Sequence, residues 1–249
     1  MELRGKKVIV TGGVRGLGRS MVEKLVSSAA AVTVVDLNAS GFAELRERHE
    51  AVNCIECDIS DYEQVVRATG EYHGKFGAAD VLINNAGILY SSPLARISTT
   101  GIETHDVAMW DKVLAADLSS VFYMTVCVVE KMIASRTKGV IVNISSVSAS
   151  GNRGASAYSA AKAGVNALTA AWAKELSPLG IRVVAVAPGF TETESTREAM
   201  SAAALRETIN RVPLRRLGKP DEIAEGVLSV IQNDFFNGKV FELDGGLVL

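Results

Sequence analysis

Tyr158 and Lys162 stand one helical turn apart in A-Y-S-A-A-K-A-G, and the paired serines Ser145 and Ser146 end the apolar run G-V-I-V-N-I-S-S upstream. On a helix, positions i and i+4 share a face, so the spacing sets the Lys162 ammonium beside the Tyr158 phenol, where it favours the phenolate. That pair is a proton-transfer site in outline. An unperturbed tyrosine titrates near pH ~10, so a phenolate base working near pH ~7 requires roughly 4 kcal/mol of differential stabilisation. A single close cation in a partly dry cleft is expected to supply it.

The elements that must carry these residues are legible as short apolar runs alternating with longer helical patterns. The runs are K-V-I-V-T, V-T-V-V-D, N-C-I-E-C-D, D-V-L-I-N-N, G-V-I-V-N-I-S, R-V-V-A-V-A-P and K-V-F-E-L-D. Strands that read as continuous Val/Ile stretches belong to a parallel sheet covered on both faces. The pattern predicts an α/β fold, a doubly wound three-layer α/β/α sandwich around a mostly parallel seven-stranded sheet, in a single domain spanning 1–249. In the helix bearing Tyr158, the residues Tyr158, Ala161, Val165, Leu168, Trp172 and Leu176 recur at steps of three and four and are expected to face protein. Pro178 and Gly180 close that helix.

Two stretches interrupt the alternation. Residues 90–104 form a polar segment expected to be a long solvated loop, and such loops often carry specificity. The segment after A-P-G-F is rich in small and charged residues and reads as an irregular, mobile lid over 189–212. Leu89, Leu94, Ile97, Phe190 and Met200 suit either an apolar pocket between them or ordinary packing.

Composition narrows the partners. A formal net charge of -2 without a lysine or arginine cluster offers no basic field to nucleic acid or an anionic membrane. No uninterrupted apolar segment approaches the ~20 residues of a membrane helix, and M-E-L-R-G-K-K-V-I-V-T-G-G moves straight into a strand, so a cytoplasmic protein is expected. Cys54, Cys57 and Cys127 are an odd number in a long chain, which argues against a disulfide framework. The spacings of those cysteines and of His49, His73 and His105 form no ligand set, and no metal is expected.

The first strand runs into T-G-G-V-R-G-L-G-R-S, placing Gly12, Gly16, Leu17 and Gly18 at a strand-to-helix turn. Bare glycines let phosphate oxygens reach backbone amides, and the next helix N-terminus adds partial positive charge, so a dinucleotide pyrophosphate is the natural occupant. Asp36 ends the second strand about twenty residues beyond Gly16, where a carboxylate accepts hydrogen bonds from an adenosine ribose and repels a 2′-phosphate. Leu37 follows it. Asp36 favours NAD over NADP, whereas Arg15, inside the glycine turn, could pair with a 2′-phosphate; Asp36 is given the greater weight.

With those motifs in order, the chain resembles the short-chain dehydrogenase/reductase family. T-G-G-V-R-G-L-G, N-N-A-G, S-S followed by Y-S-A-A-K, A-P-G-F-T-E-T and a closing L-D-G-G fall in the family's sequence along essentially the whole chain. The resemblance implies a Rossmann-like fold and a homotetramer. It further implies that Tyr158 exchanges the proton with substrate oxygen, Lys162 binds the nicotinamide ribose and lowers the Tyr158 pKa, and Ser146 bonds the reacting oxygen, with Ser145 as fallback. By the same resemblance Asp58 and Ile59 flank adenine, Asn85, Ala86 and Gly87 line the adenosine side, and Pro188, Gly189, Thr191 and Thr193 hold the nicotinamide amide.

One departure concerns the chemistry directly: Asp117, in W-D-K-V-L-A-A-D-L-S-S-V-F, stands where the family usually has asparagine. Either its backbone carbonyl still holds the water that links the lysine to solvent, or its carboxylate competes for the Lys162 charge and raises the pH at which oxidation works best. The sequence thus predicts reversible hydride transfer between NAD(H) and a small secondary alcohol or ketone, in the manner of a hydroxysteroid-like dehydrogenase. The alternatives are a 3-oxoacyl-thioester reductase using NADPH and a catalytically silent dinucleotide-binding regulator.

Overall fold

The computed structural model of the chain describes residues 1–99, 101–199 and 201–247. Its strands are β1 (Lys7–Thr11), β2 (Ala31–Asp36), β3 (Asn53–Glu56), β4 (Val81–Asn84), β5 (Ala95–Ser98), β6 (Gly101–Thr104), β7 (Gly139–Ile144), β8 (Ile181–Pro188) and β9 (Val240–Leu243). Its helices are α1 (Gly16–Ser27), α2 (Phe42–Arg48), α3 (Tyr62–Phe76), α4 (Val107–Leu114), α5 (Ser120–Ala134), α6 (Ser156–Leu176), α7 (Glu194–Ala199), α8 (Ala202–Arg211) and α9 (Pro220–Gln232).

Seven of the described strands form one sheet in the order β3-β2-β1-β4-β7-β8-β9, every neighbouring pair parallel. Alternate residues of each strand enter opposite layers. Val8, Val10, Val140 and Val142 pack with Met21, Leu25, Ile223 and Val227 of α1 and α9, while Ile9 and Ile141 pack with Val65, Met124 and Val128 of α3 and α5. A parallel strand buried on both faces has no solvent side to alternate toward, which is why its sequence reads as a continuous apolar run. The chain winds outward from β1 to one edge and from β4 to the other. That reversal leaves a crevice beyond the carboxyl ends of β1 and β4, the place where open α/β sheets take ligands.

Some expectations need correction. The segment 90–104 holds a β-hairpin: Ile97 pairs with Ile102, and Arg96 with Glu103, whose side chains bond at 2.7 Å. The stretch after A-P-G-F is helical, in α7 and α8; Met200 lies outside the described residues. On α6 the buried stripe is Ala157, Ala161, Val165, Thr169 and Ala173, with Tyr158, Leu168, Trp172 and Leu176 only partly covered. Small side chains let this helix approach its neighbours closely, and large ones were pushed to the margin. At Gly164 a Cβ would sit 2.9 Å from Leu118 Cδ1.

Val107–Ala134 runs as one 28-residue helix through α4, a π-helical turn (Ala115–Ser119) and α5, and by length and composition it is apolar enough to cross a membrane. Asp111, Lys112 and Asp117 break the apolar run in the sequence, yet the mean hydropathy of its most apolar stretch still reaches 1.6. Here it is a core helix, with Met124, Val128 and Met132 fully buried against the sheet.

Candidate active site

The glycine turn is closed by short-range geometry. Gly16 has φ +56°, in the left-handed region that a side chain resists. Gly18 faces the backbone, so an added Cβ would overlap the Gly12 carbonyl oxygen and come 2.6 Å from Asn85 Nδ2. Asn85 Nδ2 in turn donates to the carbonyls of Thr11 and Gly12, both at 3.0 Å. Thr11 Oγ1 receives the backbone N–H groups of Asn85 at 3.0 Å and Ala86 at 3.1 Å. Arg15 caps α1 without any side-chain bond to its first amides, so the N-terminal donors remain for a ligand.

At the end of β2, Asp36 accepts from Val14 N at 3.1 Å and Asn38 N at 2.9 Å. These two bonds fix the carboxylate beside the glycine turn. Leu37, next in sequence, is exposed, and so is Arg15, which makes no ion pair among the described residues. Across the turn lies the segment after β8. Thr191 is buried with its Oγ1 donating to Gly189 O at 3.1 Å, and Thr193 Cγ2 would be 3.9 Å from a Cβ on Gly16. Pro188 ends β8, and Gly189 N donates to Leu243 O at 2.9 Å. The predicted adenine pair is more committed locally: the Asp58 carboxylate holds Ser60 through its N–H at 2.9 Å and hydroxyl at 2.6 Å, and Ile59 packs on the core.

The proton-transfer group assembles from β7 and α6. Ser145 and Ser146 point to opposite sides as an extended chain requires. Ser145 is buried with its hydroxyl directed to Lys162 O at 3.4 Å, while Ser146 is partly exposed, caps the following turn by accepting from Ser148 N at 3.1 Å, and lies beside the Tyr158 phenol, whose pKa it lowers. The Lys162 Nζ lies 5.6 Å from the Tyr158 ring centroid and donates to Ile144 O at 3.0 Å.

Asp117 reaches this group from the π-helical turn. Its Oδ2 is 3.2 Å from Lys162 Nζ, with the two side chains 1% and 5% exposed, and its Oδ1 accepts from Ile88 N at 2.8 Å. The Lys162 contact is an ion pair lacking the alignment of a hydrogen bond. The carboxylate also explains Gly87, where a Cβ would come 2.5 Å from Asp117 Oδ2.

Charge in this pocket departs from the expectation of a depressed tyrosine pKa. Burial is the largest influence on Tyr158 and pushes its phenol up; Lys162 pulls it down, Asp117 pushes it up again, Ser146 lowers it, and the outcome lies above the ordinary tyrosine value. Burial opposes the Lys162 ammonium, but Asp117 and Tyr158 outweigh it and hold the lysine above its ordinary value. A cation already paired with a carboxylate has less field to spend on a neighbouring phenol.

Several residues escaped sequence reasoning. Under the site, Asn84 Nδ2 donates to Asn143 Oδ1 at 2.9 Å and Thr125 Oγ1 at 3.0 Å, and Asn143 Nδ2 donates to Thr169 Oγ1 at 2.9 Å. This buried chain ties β4, β7, α5 and α6 together. Its signal was an asparagine near the end of each of two otherwise apolar strands, since a buried amide needs partners. Thr11 was similarly visible only as the polar end of β1.

The sequence profile of the short chain dehydrogenase family matches residues 6–204. The chain belongs to that family. It is 37% identical to the 3-oxoacyl-[acyl-carrier-protein] reductase FabG of Thermotoga maritima over the full length of both proteins. It is 32% identical to the reductase of the same name from Vibrio harveyi, again over the full length of both. To the human 3-hydroxyacyl-CoA dehydrogenase type-2 it is 34% identical, across 99% of this chain and 96% of the relative. The protein is therefore a short-chain dehydrogenase/reductase oxidoreductase, a family that binds a nicotinamide dinucleotide.

Proposed function

We propose that the chain interconverts the 3-oxo and 3-hydroxy forms of an acyl thioester, using NAD(H) and the Ser146–Tyr158–Lys162 group. The observation that carries the chemistry is the convergence of those three side chains beside the crevice, with Ser146 and Lys162 both acting on Tyr158. The names of the bacterial and human relatives share one reacting position, carbon 3 of an acyl thioester, and favour this substrate over a free secondary alcohol or a steroid-like one.

The residues fit a dinucleotide: Gly16 leaves open space beside the turn, where a Cβ would meet nothing nearer than Thr193 Cγ2 at 3.9 Å, α1 begins without a side-chain cap on its amides, and Asp36 is fixed where a ribose would lie. When bound, the nicotinamide supplies or accepts the hydride. Tyr158 donates its proton to the oxygen on which negative charge develops, and the Ser146 hydroxyl donates a second hydrogen bond to that oxygen. Lys162 positions the ribose. Asn85, Ala86 and Gly87 line the adenosine side, Asp58 and Ile59 flank the adenine, and Thr191 and Thr193 hold the amide end. Residues 189–212, including α7 and α8, close over the substrate.

Asp36 supports NAD(H), because its carboxylate would repel a 2′-phosphate. The exposed, unpaired Arg15 supports NADPH as the second reading. The exposed apolar face of α5, Phe122, Val126 and Ile133, lies beside α6 through the Phe122–Trp172 contact and supports the homotetramer.

Fluorescence titration with NADH and NADPH, followed by turnover of acetoacetyl-CoA against cyclohexanone, tests the reading. NADH is expected to bind at least ~10-fold tighter, since unfavourable charge placement of this kind is worth about 1.4 kcal/mol or more. The thioester is expected to show the higher kcat/KM. Faster turnover of the simple ketone would return the substrate to the free-alcohol class, and tighter NADPH binding would assign the cofactor to Arg15.

A further inference from the structure

Asp117 is fully buried on a π-helical turn, paired at 3.2 Å with a lysine that is itself sealed from solvent, and anchored on its other oxygen by Ile88 N–H. Burial is the largest influence on this carboxyl and pushes its pKa up, while the Lys162 cation and the Ile88 N–H both favour its ionised form. The same lysine is held by Ile144 O, so its position is set from the β7 side as well.

We propose that Asp117 is a positioning residue that neutralises the Lys162 ammonium and keeps Tyr158 a phenol at neutral pH, poising the site as a proton donor for carbonyl reduction. The proposal deepens the reading above and rests on it for the direction of turnover. In reduction, the carbonyl carbon gains the hydride and its oxygen takes the Tyr158 proton, leaving a phenolate that must be reprotonated. A phenol that persists to high pH serves that step across the neutral range. Oxidation needs the phenolate as base and is driven toward alkaline pH.

The groups facing Tyr158 are few. Lys162 lies on its own helix, Asp117 on the π-helical turn and Ser146 after β7; from the 88–106 loop, Tyr90 packs nearby and meets the His105 ring edge-on, centroids 5.3 Å apart. Asp106, Asp111 and Lys112, at and on α4, and Arg153 before α6, are exposed, where solvent screens them. The buried pair therefore governs the phenol.

The test compares pH profiles of kcat/KM for the enzyme and Asp117→Asn in both directions of the thioester reaction. Removing the carboxylate releases the lysine's field, so the acid limb of oxidation and the alkaline limb of reduction should both move to lower pH by roughly one unit or more. Unmoved limbs in a folded variant, or limbs moving upward, overturn the proposal and leave Asp117 a space-filling ion-pair partner. A second measurement needs no turnover and no Asp117 variant: ultraviolet difference titration of the enzyme against Tyr158→Phe. The Tyr158 phenolate should appear only above pH ~10. Its appearance near neutrality overturns the proposal even where the thioester assignment stands, and a thioester failure leaves this titration intact.

Discussion

Lys162 and Asp117 are sealed on the floor of the site, whereas Ile97 and Ile102, on the hairpin that the loop beside Tyr158 carries, stand 90% and 77% exposed. The floor is cross-tied. Asn84, Asn143, Thr125 and Thr169 bond through the core, Ser145 is directed to the Lys162 carbonyl, and Ile88 is tied to Asp117. At its base the hairpin closes on itself, His105 N donating to Leu94 O at 2.9 Å, and just before it Ser92 N donates to Gly154 O of the body at 2.6 Å. An isolated two-stranded ribbon is marginal in water. The contrast teaches that the Tyr158–Lys162 geometry is held by buried, cross-linked polar groups, while the exposed hairpin beside it is left loosely supported.

The comparison breaks or sharpens most visibly at Tyr158. Tyr158→Phe keeps the ring and its packing but removes the transferable proton, so kcat is expected to fall by about 10³-fold, while NADH affinity by fluorescence stays within about 2-fold; a variant retaining a tenth of the activity would place the proton elsewhere. Next in size is the scaffold below. Asn143→Ala strips one partner from Asn84 and from Thr169, and a loss of about 2–4 kcal/mol in urea unfolding is expected. A loss under about 0.5 kcal/mol would mean that the floor is no more tightly built than the rim.

The smallest effect belongs to the hairpin. Ile97→Ser with Ile102→Ser alters side chains that pack on little of the folded protein, so stability should change by less than about 0.5 kcal/mol. The same double variant should change kcat/KM selectively for longer acyl thioesters and leave acetoacetyl-CoA unchanged. Equal loss for both substrates would show that the hairpin supports the floor and does not merely border it.

Much of this was written locally. The Val/Ile runs announced a parallel sheet because burial on both faces leaves no alternation to observe, and T-G-G-V-R-G-L-G announced the turn because glycine is favoured at the Gly16 backbone and nothing larger fits the Gly18 contact. The four-residue step from Tyr158 to Lys162 needed nothing beyond helical geometry. The hairpin was missed because its pairing partners lie within a polar stretch, where two isoleucines carry little periodic signal. The buried stripe of α6 was misjudged because small residues, not large ones, lie where helices come closest.

The sequence by itself determined the fold class, the glycine turn and the proximity of phenol to ammonium, since each follows from steric rules acting over a few residues. Only the tertiary structure decided which way the Tyr158 proton affinity moves. That sign is a sum of burial, one cation, one anion and the Ser146 hydroxyl, and the anion comes from a turn forty-one positions earlier in the chain. Desolvation and Coulomb energies depend on distances that only packing sets, so Asp117 could be noticed in the sequence but not weighed until the helices closed around it.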